Sequence, residues 1–75
     1  MTELQSKAVE FLKTQNGFIF QAREIGQRIG VRATDVSRSL SNLYDGPSKP
    51  KQLGRSYPTT YHQQYAPPNF WWDEI

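Results

Sequence analysis

Residues 22–43 of the chain read AREIGQRIGVRATDVSRSLSNL, and their apolar positions predict two short helices joined by a tight turn. Apolar residues recur at steps of three or four in both halves, as they do on the buried face of a helix. The pattern predicts helices over about 22–29 and 33–44. Between them, Gly30 supplies the positive φ that a tight turn needs, and Val31 is expected to point inward.

Each of these two predicted helices has one apolar face. The expected buried positions are Ala22, Ile25, Ile29, Val36, Leu40 and Leu43. Gly26 lies inside the first of the two helices, where glycine costs about 1 kcal/mol relative to alanine. One use for a glycine at this position is the close approach of a neighbouring helix.

The flanking residues predict a further helix, a short strand and a hairpin. Thr2 is a suitable N-cap for a first helix over about 2–15, and residues 18–20 are rich in strand formers. A loop rich in proline and glycine follows the third helix. Alternating residues over about 52–65 then predict a β-hairpin, and the aromatic segment 70–72 comes after it.

The composition favours one small domain over residues 1–75 and argues against several classes of function. Hydrophobic residues make up 36% of the 75, enough for a compact core. There is no cysteine and one histidine, His62, so we expect no disulfide, no metal site and no other cofactor. No nucleophile–base pair is visible, so we expect no enzyme.

Neither a membrane-spanning run nor a signal peptide is visible in the sequence. No apolar stretch approaches the roughly 18 residues that a spanning helix needs, and the first residues lack a basic and an apolar region. We therefore expect no membrane partner and a soluble protein in the cytoplasm, or in the nucleus if its host is eukaryotic or it is viral.

Charge is unevenly distributed along the chain. The net charge is +2, but residues 21–57 carry seven cations and three acids, whereas residues 58–75 carry two acids and no lysine or arginine. A basic surface neutralises phosphates, and the release of counterions then favours nucleic-acid binding. An ordinary solvated surface with excess arginine has the same composition, so charge alone leaves both interpretations open.

The third predicted helix has an outward face of small polar residues and one arginine. These outward residues are Thr34, Ser37, Arg38, Ser41 and Asn42. Small polar side chains reach phosphates or base edges in a major groove without steric conflict, and arginine binds guanine or phosphate. A helix that is merely exposed usually carries more Glu–Lys pairs. The face is therefore a candidate nucleic-acid contact.

The order helix, short strand, helix, turn, helix and hairpin resembles the winged helix-turn-helix superfamily of DNA-binding domains. The resemblance is most specific over residues 22–43, where an apolar helix ends in Gly30-Val31 and the pattern Val-Ser-Arg-x-Leu-x-x-Leu begins at Val36. It implies an α+β fold of three helices, a short strand and a C-terminal β-hairpin wing over about 52–65. It also implies binding of double-stranded DNA through the third helix, as in a small transcriptional or accessory regulator.

The segment Pro67–Trp71 is similar to the wing of one winged-helix subgroup, the Z-form nucleic-acid-binding domains, in which two prolines closely precede a tryptophan. An asparagine and a tyrosine on the recognition helix carry the specific contacts of that subgroup. Their positions align with Ser37 and Ser41 here, and the spacing before Trp71 is one residue longer. The chain thus departs from the subgroup where its specificity lies.

Four more cations are candidates for phosphate contacts. Arg32 lies at the start of the third helix, Lys49 and Lys51 lie in the loop, and Arg55 lies on the first predicted wing strand. The alternative for Arg32 is a surface cation that interacts only with the helix dipole, and for the other three it is an exposed cation without a ligand. The tyrosines of the hairpin have two readings as well, stacking on bases or packing across strands. They are Tyr57, Tyr61 and Tyr65.

A function of a different class is a protein-interaction module. In that reading the winged helix is an adaptor, or an inhibitor of a nucleic-acid enzyme such as viral and mobile-element genomes encode. The wing and the aromatic residues 70–72 would then bind a protein partner or a second copy of the chain. Arg38 would matter little to such a function, whereas it is central to DNA binding.

Overall fold

The chain folds as an α+β unit of three helices and a three-stranded antiparallel sheet. The computed structural model describes residues 1–57 and 67–74, and these counts apply to those ranges. The elements are α1 Glu3–Thr14, β1 Phe20–Gln21, α2 Ala22–Ile29, α3 Ala33–Asp45, β2 Leu53–Ser56 and β3 Asn69–Trp72. All three helices agree with the predicted ranges to within one residue at each end.

Helix α1 begins at the cap that the sequence predicts. The amide of Gln5 donates to Thr2 Oγ1 at 3.1 Å, and the amide of Thr2 donates to Gln5 Oε1 at 2.9 Å. This reciprocal pair satisfies two backbone donors that a helix start would otherwise leave open. After Gln15 the chain turns at Gly17, whose φ of +86° lies in the region that favours glycine.

Helices α2 and α3 meet across the predicted turn. Gly30 ends α2 in the left-handed conformation with φ +74°, and the amide of Val31 donates to the carbonyl of Gly26 at 2.9 Å. A Cβ at position 26 would overlap the carbonyl oxygen of Val31 in the turn and would lie 3.5 Å from the amide nitrogen of Ala33, the first residue of α3.

The sheet has the strand order β1-β3-β2, with both pairs antiparallel. Strand β3 is therefore the central strand, although it is the last in the chain. Phe70 lies opposite Phe20 on one side and Arg55 on the other, and Trp72 lies opposite Leu53. Phe70 and Trp72 are buried while Trp71 between them is half-buried, as the alternation of a strand requires.

The observed pairing of β3 with β2 differs from the strand pairing predicted for the C-terminal part of the chain. The strand that pairs with β2 is Asn69–Trp72, so the segment 70–72 is part of the hairpin rather than a segment that follows it. Pro67 and Pro68 precede the strand and do not interrupt it, which suits residues that cannot donate to a sheet ladder. The predicted second strand, 61–65, lies outside the described residues.

The short strand β1 is also displaced from its predicted position. It consists of Phe20 and Gln21, so it ends one residue after the predicted strand 18–20 and is one residue shorter. Phe20 packs against Phe11 of α1, with ring centroids 5.2 Å apart. Phe18 and Ile19 are instead exposed, at 66% and 60% of their surface.

The core lies between the inner faces of the helices and one face of the sheet. Its buried hydrophobic residues are Ala8, Val9, Leu12, Ala22, Ile25, Val36, Leu40, Leu43, Leu53, Phe70 and Trp72. Five of the six positions predicted for the helices are among them, and the sixth, Ile29, packs against the cluster while partly exposed. None of the helices in the described part of the chain is long and apolar enough to cross a membrane.

Candidate nucleic-acid interface

Helix α3 turns one side to the core and the opposite side to solvent. Val36, Leu40 and Leu43 are buried. On the outer side, three residues spaced four apart are exposed: Thr34, Arg38 and Asn42. Ser37 and Ser41, predicted with them, are half-buried beside this row. Positions four apart lie one above the other on a helix, so the three exposed residues form a single polar stripe.

Arg38 is the one cation of this stripe. No carboxylate of the described residues lies within ion-pair distance of its guanidinium. Arg32, which precedes α3, is 86% exposed and pairs with Asp35 at 3.7 Å. An exposed pair at that distance contributes little and leaves the guanidinium accessible. Both arginines are thus presented to solvent from the start and the middle of α3.

Helix α2 adds two exposed arginines beyond the residues predicted for the site. Arg23 and Arg28 both lie on the outer side of α2. Arg23 also lines a shallow cleft of about 220 Å³ between the first turns of α2 and α3, together with Thr34 and Pro67. The outward positions in the α2 pattern were the available signal, but the prediction used them only for net charge.

Lys49 and Lys51 are both exposed in the loop between α3 and β2. Lys49 Nζ lies 4.1 Å from the ring centroid of Tyr44, within the range of a cation–π contact. The loop closes on itself before β2, since the amide of Leu53 donates to the carbonyl of Pro50 at 3.2 Å. Lys51 therefore lies within a hydrogen-bonded turn immediately before β2, whereas Lys49 precedes that turn and packs on Tyr44 near the end of α3.

Arg55 differs from the other predicted cations because it is engaged within the protein. Its Nη1 and Nη2 donate to the two carboxylate oxygens of Asp45 at 3.0 and 2.9 Å. Only 14% of its side chain is exposed, and these hydrogen bonds raise the pKa of Arg55 above its ordinary value. A guanidinium that already donates to a carboxylate has fewer donors left for phosphate, so Arg55 differs in this respect from the other cations predicted to contact DNA.

The aromatic residues of the C-terminal part divide between core and surface. Phe70 and Trp72 are core residues, so their rings are not available to a partner. Trp71 is half-buried and its indole lies against Gly54, where a Cβ would overlap the ring. Tyr57 is 54% exposed. Tyr61, His62 and Tyr65 lie outside the described residues.

A second cleft, of about 350 Å³, lies between the start of α1 and the end of α3, and Asn42 of the stripe is among its lining residues. Across residues 1–57 and 67–74, no group of three or more His, Cys, Asp or Glu side chains is placed to hold a metal ion. The exposed polar and cationic groups of α2, α3 and the following loop are thus the strongest candidate site.

Comparisons with protein-family models, with curated proteins and with solved structures found no match for this chain.

Proposed function

We propose that this chain is a small winged-helix protein that binds double-stranded DNA and acts as a transcriptional or accessory regulator. Helix α3 lies in the major groove in this proposal, and the loop and hairpin after it form a wing against the adjacent phosphates. The chain then acts in whichever compartment holds that DNA, the cytoplasm or a nucleus. It needs no cofactor and catalyses no reaction.

The order of elements supports the winged-helix part of the proposal. Two helices meet across a Gly30 turn, and an antiparallel β2–β3 pair follows with β1 added at its far edge. In a winged helix the second of these helices is free on its outer side to enter a groove, while the hairpin flanks it. The free outer side of α3 and its position before β2 suit that arrangement.

The observation that carries the proposal is the exposed stripe of Thr34, Arg38 and Asn42. Hydroxyl, guanidinium and amide groups are those that read base edges in the major groove. Exposed cations lie on the neighbouring elements: Arg23 lines the same cleft as Thr34, Arg28 is further along α2, and Lys49 and Lys51 are in the loop that follows α3. Exposed cations near a polar face suit a duplex, because phosphates flank the groove in which base edges are read.

A salt titration tests the proposal most directly. Random-sequence duplex DNA carrying a fluorophore is titrated with the protein between about 50 and 200 mM salt, and anisotropy gives the affinity. We expect affinity to fall steeply with salt and duplex to be preferred over single strands of the same sequence. Equal, weak binding to both at the lowest salt would contradict the proposal.

Arg38→Ala is expected to weaken DNA binding by about 1–3 kcal/mol if Arg38 contacts a base, and to relax preference at one base pair. Arg38 is exposed, so the free energy of unfolding should change by no more than about 0.5 kcal/mol. The measurement is anisotropy against a panel of duplexes that differ at single positions. Lys7→Ala, which removes a cation from α1, is the matched control. An unchanged affinity for every duplex would favour the protein-interaction function.

Replacing Lys49 and Lys51 together by alanine is expected to weaken binding to all duplexes by the same factor. Phosphates carry no sequence information, and each lost phosphate contact lowers the salt slope by about one. We therefore expect a slope smaller by about two in the double variant, with unchanged discrimination between duplexes. Parallel salt plots for parent and variant would show that the loop lies away from the DNA.

One observation favours the protein-interaction function as a second candidate. Phe18 and Ile19 are exposed side by side immediately before the edge strand β1, and such neighbours are common at protein contacts. The Phe18→Ser/Ile19→Ser variant tests this function. If these residues mediate association between copies, sedimentation should show a parent dimer and a monomeric variant, and a parent that is monomeric would contradict this function.

A further inference from the structure

Arg55 lies at the centre of a contact between β2 and the end of α3. Its guanidinium meets the Asp45 carboxylate as a fork, with two parallel hydrogen bonds of 3.0 and 2.9 Å. Cζ, the central carbon of this guanidinium, lies 4.3 Å from the ring centroid of Tyr44 and 5.1 Å from that of Tyr57. We call Tyr44, Asp45, Arg55 and Tyr57 the clasp.

The clasp joins elements that are separated in sequence. Tyr44 and Asp45 are the last two residues of α3, whereas Arg55 lies on β2, ten residues further along the chain. The intervening loop contains Lys49, whose ammonium contacts the Tyr44 ring as well. One ring therefore contacts a cation of the loop and a cation of the strand.

Asp45 has an electrostatic reason to bind a cation. It is the last residue of α3, where the helix dipole is negative, and no basic residue lies in the last turn of that helix. A carboxylate is unfavourable at a helix C-terminus, and a cation there is favourable. The guanidinium of Arg55 supplies that cation from another element, so the pair stabilises the end of α3 and fixes the start of the wing together.

We propose that Arg55 is a positioning residue, which holds the loop 46–52 and strand β2 in a fixed orientation against α3. The effect of this positioning on DNA binding rests on the proposed function, in which Lys49 and Lys51 contact phosphate. Arg55 then determines where the two lysines lie. The fork is specific to arginine, because a lysine ammonium cannot make two parallel hydrogen bonds to one carboxylate in a fixed plane.

Hydrogen exchange of two amides tests the clasp without any DNA. The Gly46 amide donates to Leu43 and the Leu53 amide donates to Pro50, so the two amides report order at either end of the loop. In Arg55→Lys and in Asp45→Asn we expect both to exchange about tenfold faster. The double variant should be no faster than either single, since all three lose one and the same fork.

Two controls separate a local effect from a loss of global stability. The amide of Leu40, in the middle of α3, should keep its parent rate in all three variants. Glu10→Gln, which removes the exposed pair with Lys13 on α1, should change neither loop amide. Equal acceleration of the Leu40 and Leu53 amides in Arg55→Lys would show a general stability contact and overturn the positioning role.

DNA titration then distinguishes positioning from direct contact. If Arg55 positions the loop, Arg55→Lys weakens duplex affinity about three- to tenfold with an unchanged salt slope, because a preorganised site is lost but no phosphate contact. Asp45→Asn weakens binding as well, although it removes a negative charge. Retained affinity in Arg55→Lys together with tighter binding in Asp45→Asn would mean that Arg55 binds phosphate itself, and would overturn the inference.

The two proposals fail in different ways. A parent protein that shows no salt-dependent duplex binding contradicts the proposed function, while faster loop exchange in the variants still supports the clasp. Unchanged loop exchange in both single variants overturns the clasp, even if the parent binds DNA tightly.

Discussion

Leu40→Ala is expected to destabilise the fold by about 2–5 kcal/mol, the usual range when a buried leucine is truncated. Leu40 is fully buried on the inner side of α3, and it belongs to the cluster that joins the three helices to the sheet. A domain of this size has a total stability of only about 4–11 kcal/mol. The variant should therefore be partly or largely unfolded near body temperature.

Urea unfolding followed by circular dichroism measures this loss. The midpoint should fall while the slope against urea stays near the parent value, since the same surface is exposed on unfolding. Asn42→Ala, at an exposed position two residues further along α3, is the matched control and should stay within about 0.5 kcal/mol. A Leu40→Ala protein that melts within a degree or two of the parent would contradict the register of α3.

Gly26→Ala is expected to destabilise the fold by about 1–3 kcal/mol, the range for an overpacked interior. Helix propensity alone gives the opposite sign, because alanine is favoured over glycine by about 1 kcal/mol in a helix interior. The steric term wins here, since a Cβ at position 26 would overlap the carbonyl oxygen of Val31. That oxygen belongs to the backbone of the turn and cannot move as a side chain does.

Two backbone hydrogen bonds also hold the turn after α2 in place, which limits how far the turn can shift to accommodate the added methyl group. The carbonyl of Gly26 accepts hydrogen bonds from the amides of Gly30 and Val31. Gln27→Ala, at the exposed neighbouring position, is the control and should be neutral or slightly stabilising. Thermal unfolding of the three proteins gives the result, at about 4–8 °C per kcal/mol for a domain of this size. A higher Tm for Gly26→Ala would contradict this prediction and would mean that the backbone of the turn shifts away from the added methyl group at little cost in free energy.

The helices could be predicted from the sequence because their signals are local. The Thr2 cap, the Gly30 turn and apolar steps of three and four each depend on residues within a few positions of one another. The exposed stripe of Thr34, Arg38 and Asn42 follows from the same periodicity, because residues opposite a buried edge must face outward. Periodicity alone did not distinguish this stripe from Ser37 and Ser41, which were also predicted to face outward and are half-buried.

The strand partners could not be predicted in this way. Residues 61–65 alternate as a strand does, and they lie closer in sequence to β2 than Asn69–Trp72 does. The choice of β3 depends on which segment places large apolar side chains in the core, and Phe70 and Trp72 do so opposite Arg55 and Leu53. Register is set by such burial, which involves residues distant in the chain.

The role of Arg55 likewise depended on contacts outside its own strand. The sequence determined that a cation lies at position 55 and that an acid ends α3, and both features are independent of the fold. Only the tertiary structure decided that they meet, because β2 returns beside the end of α3 and brings the guanidinium to Asp45 between two tyrosine rings. Local spacing thus fixes which side of a helix is exposed, whereas packing between distant segments decides which exposed charges are already paired.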